Sequence, residues 1–128
     1  MSQNLDDADF IQELRMGFCL EAIELLDDSE MRLLRIETTK IPDDFNSLKR
    51  NFHSLKGSSN AAGLEVFSHA AHQMESRLPT MTNLNRSAID QALQACDAFR
   101  GYIQKVRLNQ KSEAISDLQK FLKSIGIL

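Results

Sequence analysis

Residues 43–78 read DDFNSLKRNFHSLKGSSNAAGLEVFSHAAHQMESRL, two apolar stripes of helical period separated by one glycine. The first stripe is Phe45, Leu48, Phe52, Leu55 and Ala62 with Ser59 in register; the second is Leu64, Phe67, Ala71, Met74 and Leu78. Steps of three and four put each set on one side of an α-helix, whereas a strand would need steps of two. Gly63 stands where a helix is left through the left-handed region. The pattern therefore predicts a helix ending near Gly63, a tight turn, and a second helix over about 64–78 that stops before Pro79. Upstream, Pro42 cannot lie inside a helix, and Asp43 or Asp44 is placed to cap the one that follows.

The same period extends outward. A first helix is predicted over about Asp9–Thr38, with Phe18, Ala22, Leu25, Leu33 and Ile36 inward and Gly17 as a point where it can break. PTMTNLN, residues 79–85, reads as a loop. A fourth helix over about 86–108 carries Ile89, Leu93, Cys96, Phe99, Ile103 and Val106, and a last one over about 112–124 carries Ile115, Leu118 and Leu122. Each stripe covers one side only, so each helix needs the others to bury it. Short connectors favour antiparallel neighbours. The predicted fold is all-α: an antiparallel four-helix bundle with an additional C-terminal helix, one domain over 1–128 with its core at about 9–108.

Composition agrees with this and excludes several function classes. With 128 residues, 42% hydrophobic and 26% charged, the chain can bury a core without staples. No apolar run approaches the ~20 residues of a membrane span. The acidic start MSQNLDDADF is unlike a secretory leader, so a cytoplasmic address is expected. Cys19 and Cys96 stand apart without a partner motif and read as reduced, buried small hydrophobes. Residues 1–37 hold ten acidic and three basic side chains, while residues 100–128 hold six basic and two acidic. That tail is too sparse a basic stripe for a nucleic-acid binder.

Chemistry is suggested by the face of the second helix that points away from the core. At ~100° per residue, His53 lies roughly 130° from the centre of the apolar stripe, in a row with Lys49, Lys56 and Asn60. A lone histidine on a helix is usually a plain surface or core residue. This one has Lys56 at i+3 and Gly57 at i+4, and a glycine inside a helix costs ~1 kcal/mol relative to alanine. Close approach of something large to His53 would account for the glycine. An exposed imidazole beside an ammonium suits a phosphoryl group, with a neutral ring nitrogen as nucleophile and the lysine offsetting the incoming charge.

HSLKGSS, residues 53–59, resembles the H-x-x-K-G-[SG]-[SA] signature of histidine phosphotransfer (HPt) domains, helical carriers in two-component phosphorelays. FCLEAIELLDDSEMRLL and FHSLKGSSNAAGLEVFSHAAHQME are most similar to the first three helices of the amino-terminal phosphotransfer domain of CheA-type chemotaxis kinases. The resemblance covers about residues 9–108. Asn60, Ala62 and Leu64 depart from the residues common at those positions. The resemblance implies that His53 is phosphorylated and that His72 and Glu75 complete the site. It also implies that a receiver docks over His53, Lys49, Gly57 and Asn60, and that the phosphoryl group comes from a histidine kinase or an upstream receiver. No cofactor is expected on this chain, Mg²⁺ being expected on the partner, and the carrier is expected to be a monomer rather than an enzyme.

Glu75 can also be checked by geometry. In a hairpin about Gly63, His53 lies ten residues before the turn and Glu75 twelve after it. At ~1.5 Å rise per residue these heights differ by only a few Å, so a carboxylate–Nδ1 hydrogen bond is feasible. Such a bond fixes the tautomer that leaves Nε2 free. His69, His72 and Glu75 look like metal ligands but turn through ~240° along the helix, so one ion cannot collect all three. Two other readings stand beside the carrier: a piece of a CheA-type kinase, and a degenerate bundle that only binds proteins. A dimerising kinase helix pair usually has an acid directly after its histidine, where this chain has Ser54.

Overall fold

The computed structural model describes residues 2–78 and 84–127, with side chains from Ala8 onward. Five helices follow in order: α1 Ser2–Thr39, α2 Pro42–Ala61, α3 Glu65–Ser76, α4 Arg86–Arg107 and α5 Lys111–Ser124. There is no strand among the described residues. α2 packs between α1 and α3, α4 closes the bundle against α1 and α3, and α5 lies on α3 and α4. Contacts between distant residues fix the directions. Arg15 near the start of α1 reaches the Ala62 carbonyl at the end of α2, while Arg35 near the end of α1 reaches Asp44 at the start of α2. The expected antiparallel bundle with an added helix is the observed architecture.

Phe67 on α3 sits at the centre of the core. Its ring lies 5.3 Å from Phe18 of α1, 4.8 Å from Phe99 and 5.1 Å from Tyr102 of α4, in edge-on and tilted arrangements. Phe52 of α2 joins the cluster edge-on to Phe99 at 6.2 Å. Burying a side chain of this size contributes about 1.5–3 kcal/mol. Phe45, Leu48, Phe52 and Leu55 are all buried, as are Leu64, Phe67, Ala71, Met74 and Leu78. Both cysteines are buried too, and burial pushes the Cys96 thiol up to about 12. Neither is a reactive thiolate.

The turn between α2 and α3 forms as its glycine predicts. Gly63 has φ +74°, the Leu64 amide donates to the Ser59 carbonyl at 2.9 Å, and the Gly63 amide donates to Asn60 at 3.1 Å. This pair of bonds closes the helix C-terminus, and a side chain at position 63 would be strained. α4 ends the same way through Asn109 at φ +59°.

Three expectations need correction. α1 runs unbroken through Gly17 and begins at Ser2, well before Asp9; a single exposed glycine weakens a helix without ending it when the residues after it, here Phe18 and Cys19, are buried in the core. Leu25 is only half-buried, and Leu26 takes the core position. Neither Asp43 nor Asp44 caps α2, whose first residue is Pro42 and whose N-cap is Ile41, with no side-chain cap. Asp44 instead turns inward. It is 1% exposed and accepts from Arg32 Nη1 at 2.8 Å, from Arg35 Nε at 2.9 Å and from Arg35 Nη2 at 2.6 Å. About two turns further along α2, Asn51 donates to Asp28 and Ser29 of α1 at 2.8 and 3.0 Å. Residues 79–83 of the loop read at 79–85 lie outside the described residues; Asn85 caps α4 by accepting from the Ala88 amide at 2.8 Å.

The Arg35 hydrogen bond, with help from Arg32, holds the Asp44 carboxyl below the usual carboxylate range. A depressed acid adds stability above its ordinary range and loses it as pH falls through the lowered value. Melting followed by circular dichroism should therefore show stability falling below about pH 4, with a shallower fall in Asp44→Asn. An identical acid dependence in both proteins would refute the assignment. At neutral pH the double change Arg32→Ala/Arg35→Ala leaves the carboxylate buried without a counter-charge and should lower the melting temperature by roughly 10 °C.

Candidate functional site

His53 stands midway along α2 with its side chain 67% exposed, because its neighbours Phe52 and Leu55 take the core-facing positions. The hairpin brings α3 alongside, and His53 Nδ1 lies 3.2 Å from Glu75 Oε1. Glu75 is 23% exposed, and its second oxygen, Oε2, is buried without a hydrogen-bond partner among the described residues. A carboxylate accepts only, so the geometry requires a proton on Nδ1 whenever this bond forms with a neutral ring. Nε2, on the far side of the imidazole, then carries the free lone pair.

Lys56 lies one turn beyond His53 and is half-buried; no carboxylate pairs with it among the described residues. Its backbone is held twice. The Lys56 carbonyl accepts from Ser59 Oγ at 3.0 Å within α2 and from Ser68 Oγ of α3 at 2.9 Å. Gly57 is exposed, and a Cβ built there would meet nothing within 4 Å. Packing inside this chain therefore does not demand glycine at that position.

The other predicted residues are placed less uniformly. Asn60 is exposed on the same helix. Lys49 is half-buried with Nζ 5.9 Å from the centre of the Phe45 ring, a cation–π contact directed back along α2 and away from His53. The His72 ring is exposed, and its carbonyl accepts from Ser76 Oγ at 3.0 Å; no hydrogen bond joins it to His53 among the described residues. Among the described residues no three His, Cys, Asp or Glu side chains are placed to hold a metal ion. Ser68, in one row with His72 and Glu75, is a contact that residue spacing alone did not assign, because the acceptor is a backbone atom on another helix.

Residues 21–110 match the Hpt domain family. The sensor histidine kinase CheAY of Helicobacter pylori is 27% identical over 130 residues, in an alignment that covers 91% of this chain. The chain spans only 16% of that curated relative's length. The phosphorylated P1 domain of CheA3 from R. sphaeroides, solved in complex with CheY6, has the same fold. The TM-score is 0.68 at 19% identity, over 87% of this chain and 97% of that one. No helix among the described residues is long and apolar enough to cross a membrane. The family match takes in α2, α3, the hairpin between them and the exposed histidine, well over half of the sequence. The chain belongs to the Hpt domain family.

Proposed function

We propose that this chain is a phosphoryl carrier, taking a phosphoryl group on His53 Nε2 and passing it to an aspartate of a response-regulator receiver domain. The observation that carries the reading is the exposed His53 ring with Nδ1 3.2 Å from Glu75 in a member of the Hpt family. In the forward step the Nε2 lone pair attacks phosphorus, the N–P bond forms, and the bond to the leaving oxygen breaks. That oxygen belongs to ADP when a histidine kinase is the donor, or to an aspartate when an upstream receiver is. In the return step a carboxylate oxygen attacks phosphorus and the electron pair of the N–P bond goes back to Nε2. The Nδ1 proton stays on the ring throughout, held by Glu75.

Lys56 supplies positive charge beside the phosphoryl oxygens, and Gly57 leaves room for the partner's surface. His72, Lys49 and Asn60 lie at the edge of the docking face. Transfer of this kind rests on positioning and charge neutralisation. The partner contributes the Mg²⁺ and most of the catalytic groups, so the chain is a carrier, not an enzyme, acting as a monomer in the cytoplasm. A second reading, that the chain is the phosphotransfer part of a CheA-type kinase, is favoured by the alignment of 91% of it with CheAY. The chemistry at His53 is the same in both readings.

Incubation with kinases and a panel of receivers, followed by detection of acid-labile phosphate, tests the carrier. Label should appear on the wild type and vanish in His53→Gln; label retained on the variant would place the chemistry elsewhere. Gly57→Arg should keep the helical signal and melting temperature while transfer to the receiver falls by roughly tenfold or more. Equal transfer rates would mean that no partner approaches that turn of α2. Glu75→Ala frees the ring to rotate and to mix tautomers. Ring ¹⁵N shifts should move toward a tautomer mixture, and phosphorylation should slow by about ten-fold without stopping. Unchanged shifts together with an unchanged rate would remove Glu75 from the mechanism.

A further inference from the structure

Ser68 is the one member of the Ser68–His72–Glu75 row that the mechanism above does not use, yet it makes a well-formed contact with the site. Its hydroxyl crosses from α3 to donate to the Lys56 carbonyl at 2.9 Å. That carbonyl does not need it. A carbonyl oxygen has two lone pairs. The helical ladder of α2 offers it the Asn60 amide four residues on, and Ser59 Oγ donates to it at 3.0 Å. The Ser68 bond is thus a third donor to a satisfied acceptor, and losing it orphans no buried acceptor. Its effect is on position.

We propose that Ser68 is a positioning residue for phosphoryl transfer: its bond to the Lys56 carbonyl fixes the turn of α2 that aims the Lys56 ammonium at the phosphoryl group on His53. The inference rests on the carrier reading. Ser68 and Glu75 are seven residues apart, two turns along the same face of α3. α3 therefore grips α2 at two points, holding the His53 ring through Glu75 and the Lys56 backbone through Ser68. Between them the nucleophile and its cation acquire a fixed relation. This matters most at Lys56, because the next residue is Gly57, whose surroundings are open. A glycine inside a helix is also the residue freest to leave helical geometry, so this turn of α2 has the most to gain from an outside anchor.

The test is a double-mutant cycle with phosphoramidate as donor, which needs no partner protein and releases ammonia as His53 is phosphorylated. Ser68→Ala should slow labelling by roughly five-fold, with the melting temperature close to wild type, and Ser68→Thr, which keeps the hydroxyl, should restore it. In a Lys56→Ala background Ser68→Ala should have no further effect, since the residue acts through Lys56. The same loss in both backgrounds would make Ser68 a general structural contact, and no loss in the wild-type background would overturn the proposal outright. A second readout is independent of phosphorylation. After reductive ¹³C-methylation, the Lys56 dimethylammonium resonance should move toward the position of free lysine in Ser68→Ala while the other lysine signals stay in place; an unmoved Lys56 signal would also overturn it. A wild type that takes no label would refute the carrier reading instead, and the Lys56 resonance would still decide the role of Ser68.

Discussion

Asp44 is a carboxylate buried at the start of α2, and the placement of everything that follows depends on its two arginines. An ionised carboxyl removed from water is costly unless it is paired and hydrogen-bonded. Arg32 and Arg35 of α1 meet it with three hydrogen bonds of 2.6–2.9 Å. Sliding α2 by one turn would move the carboxylate ~5.4 Å and break the set. Asn51 anchors the same helix pair a second time, two residues before His53. A buried ion pair adds little net stability over a well-packed apolar pair, but its loss is severe, and that asymmetry makes it a device for register. With α2 held in one register and one rotation, Phe52 faces the aromatic core and its neighbour His53 faces solvent.

The opposite edge of α2 is built on different terms. Against α1 it is locked by charge; against α3 it is joined by single hydrogen bonds at His53 and Lys56. A carrier has to present its nucleophile to a donor and then to an acceptor, so its reactive ring cannot be enclosed by its own chain. Orientation of the ring has to come from one side only, and a carboxylate on the adjacent helix provides this with the Nε2 face left open. Exposed pairs of this kind contribute little to stability. The His53–Glu75 contact is therefore explained by orientation of the ring far better than by any contribution to folding.

The helices were legible because their stripes are long and regular, and Gly63 was legible because a left-handed turn residue followed by a new apolar stripe has few other meanings. The His53–Glu75 pair could be read too, since a hairpin about a known turn reduces contact to counting residues. What failed shares a cause. An aspartate just after Pro42 looks the same locally whether it caps α2 or pairs with α1; only Arg32 and Arg35, on a separate helix, decide. Leu25 and Leu26 are adjacent, and which of them enters the core depends on how α1 is rotated against the rest of the bundle. Ser68 eluded assignment because its acceptor is a carbonyl, which no residue type announces. Local period and local turns were readable; partners chosen across the bundle were not.

Violations of local rules are themselves informative. Gly57 sits in the interior of a helix at a cost of ~1 kcal/mol against alanine, with room for a side chain that is not there. Glu75 Oε2 is buried without a donor among the described residues. Lys56 is half-buried, and no carboxylate pairs with it among the described residues. Each alone has an ordinary explanation in terms of packing or chance. All three lie on the two helices that flank the exposed imidazole, two of them within four residues of His53 and the third on the side chain that touches it. Elsewhere, Asp44, Asn51 and the Gly63 turn are satisfied by partners inside the chain, while the buried Tyr102 hydroxyl of α4 has no partner among the described residues. Natural sequences give up local consistency where function demands it. Here the unpaired ammonium of Lys56 and the open surface at Gly57 are what a phosphoryl group and the protein delivering it would fill.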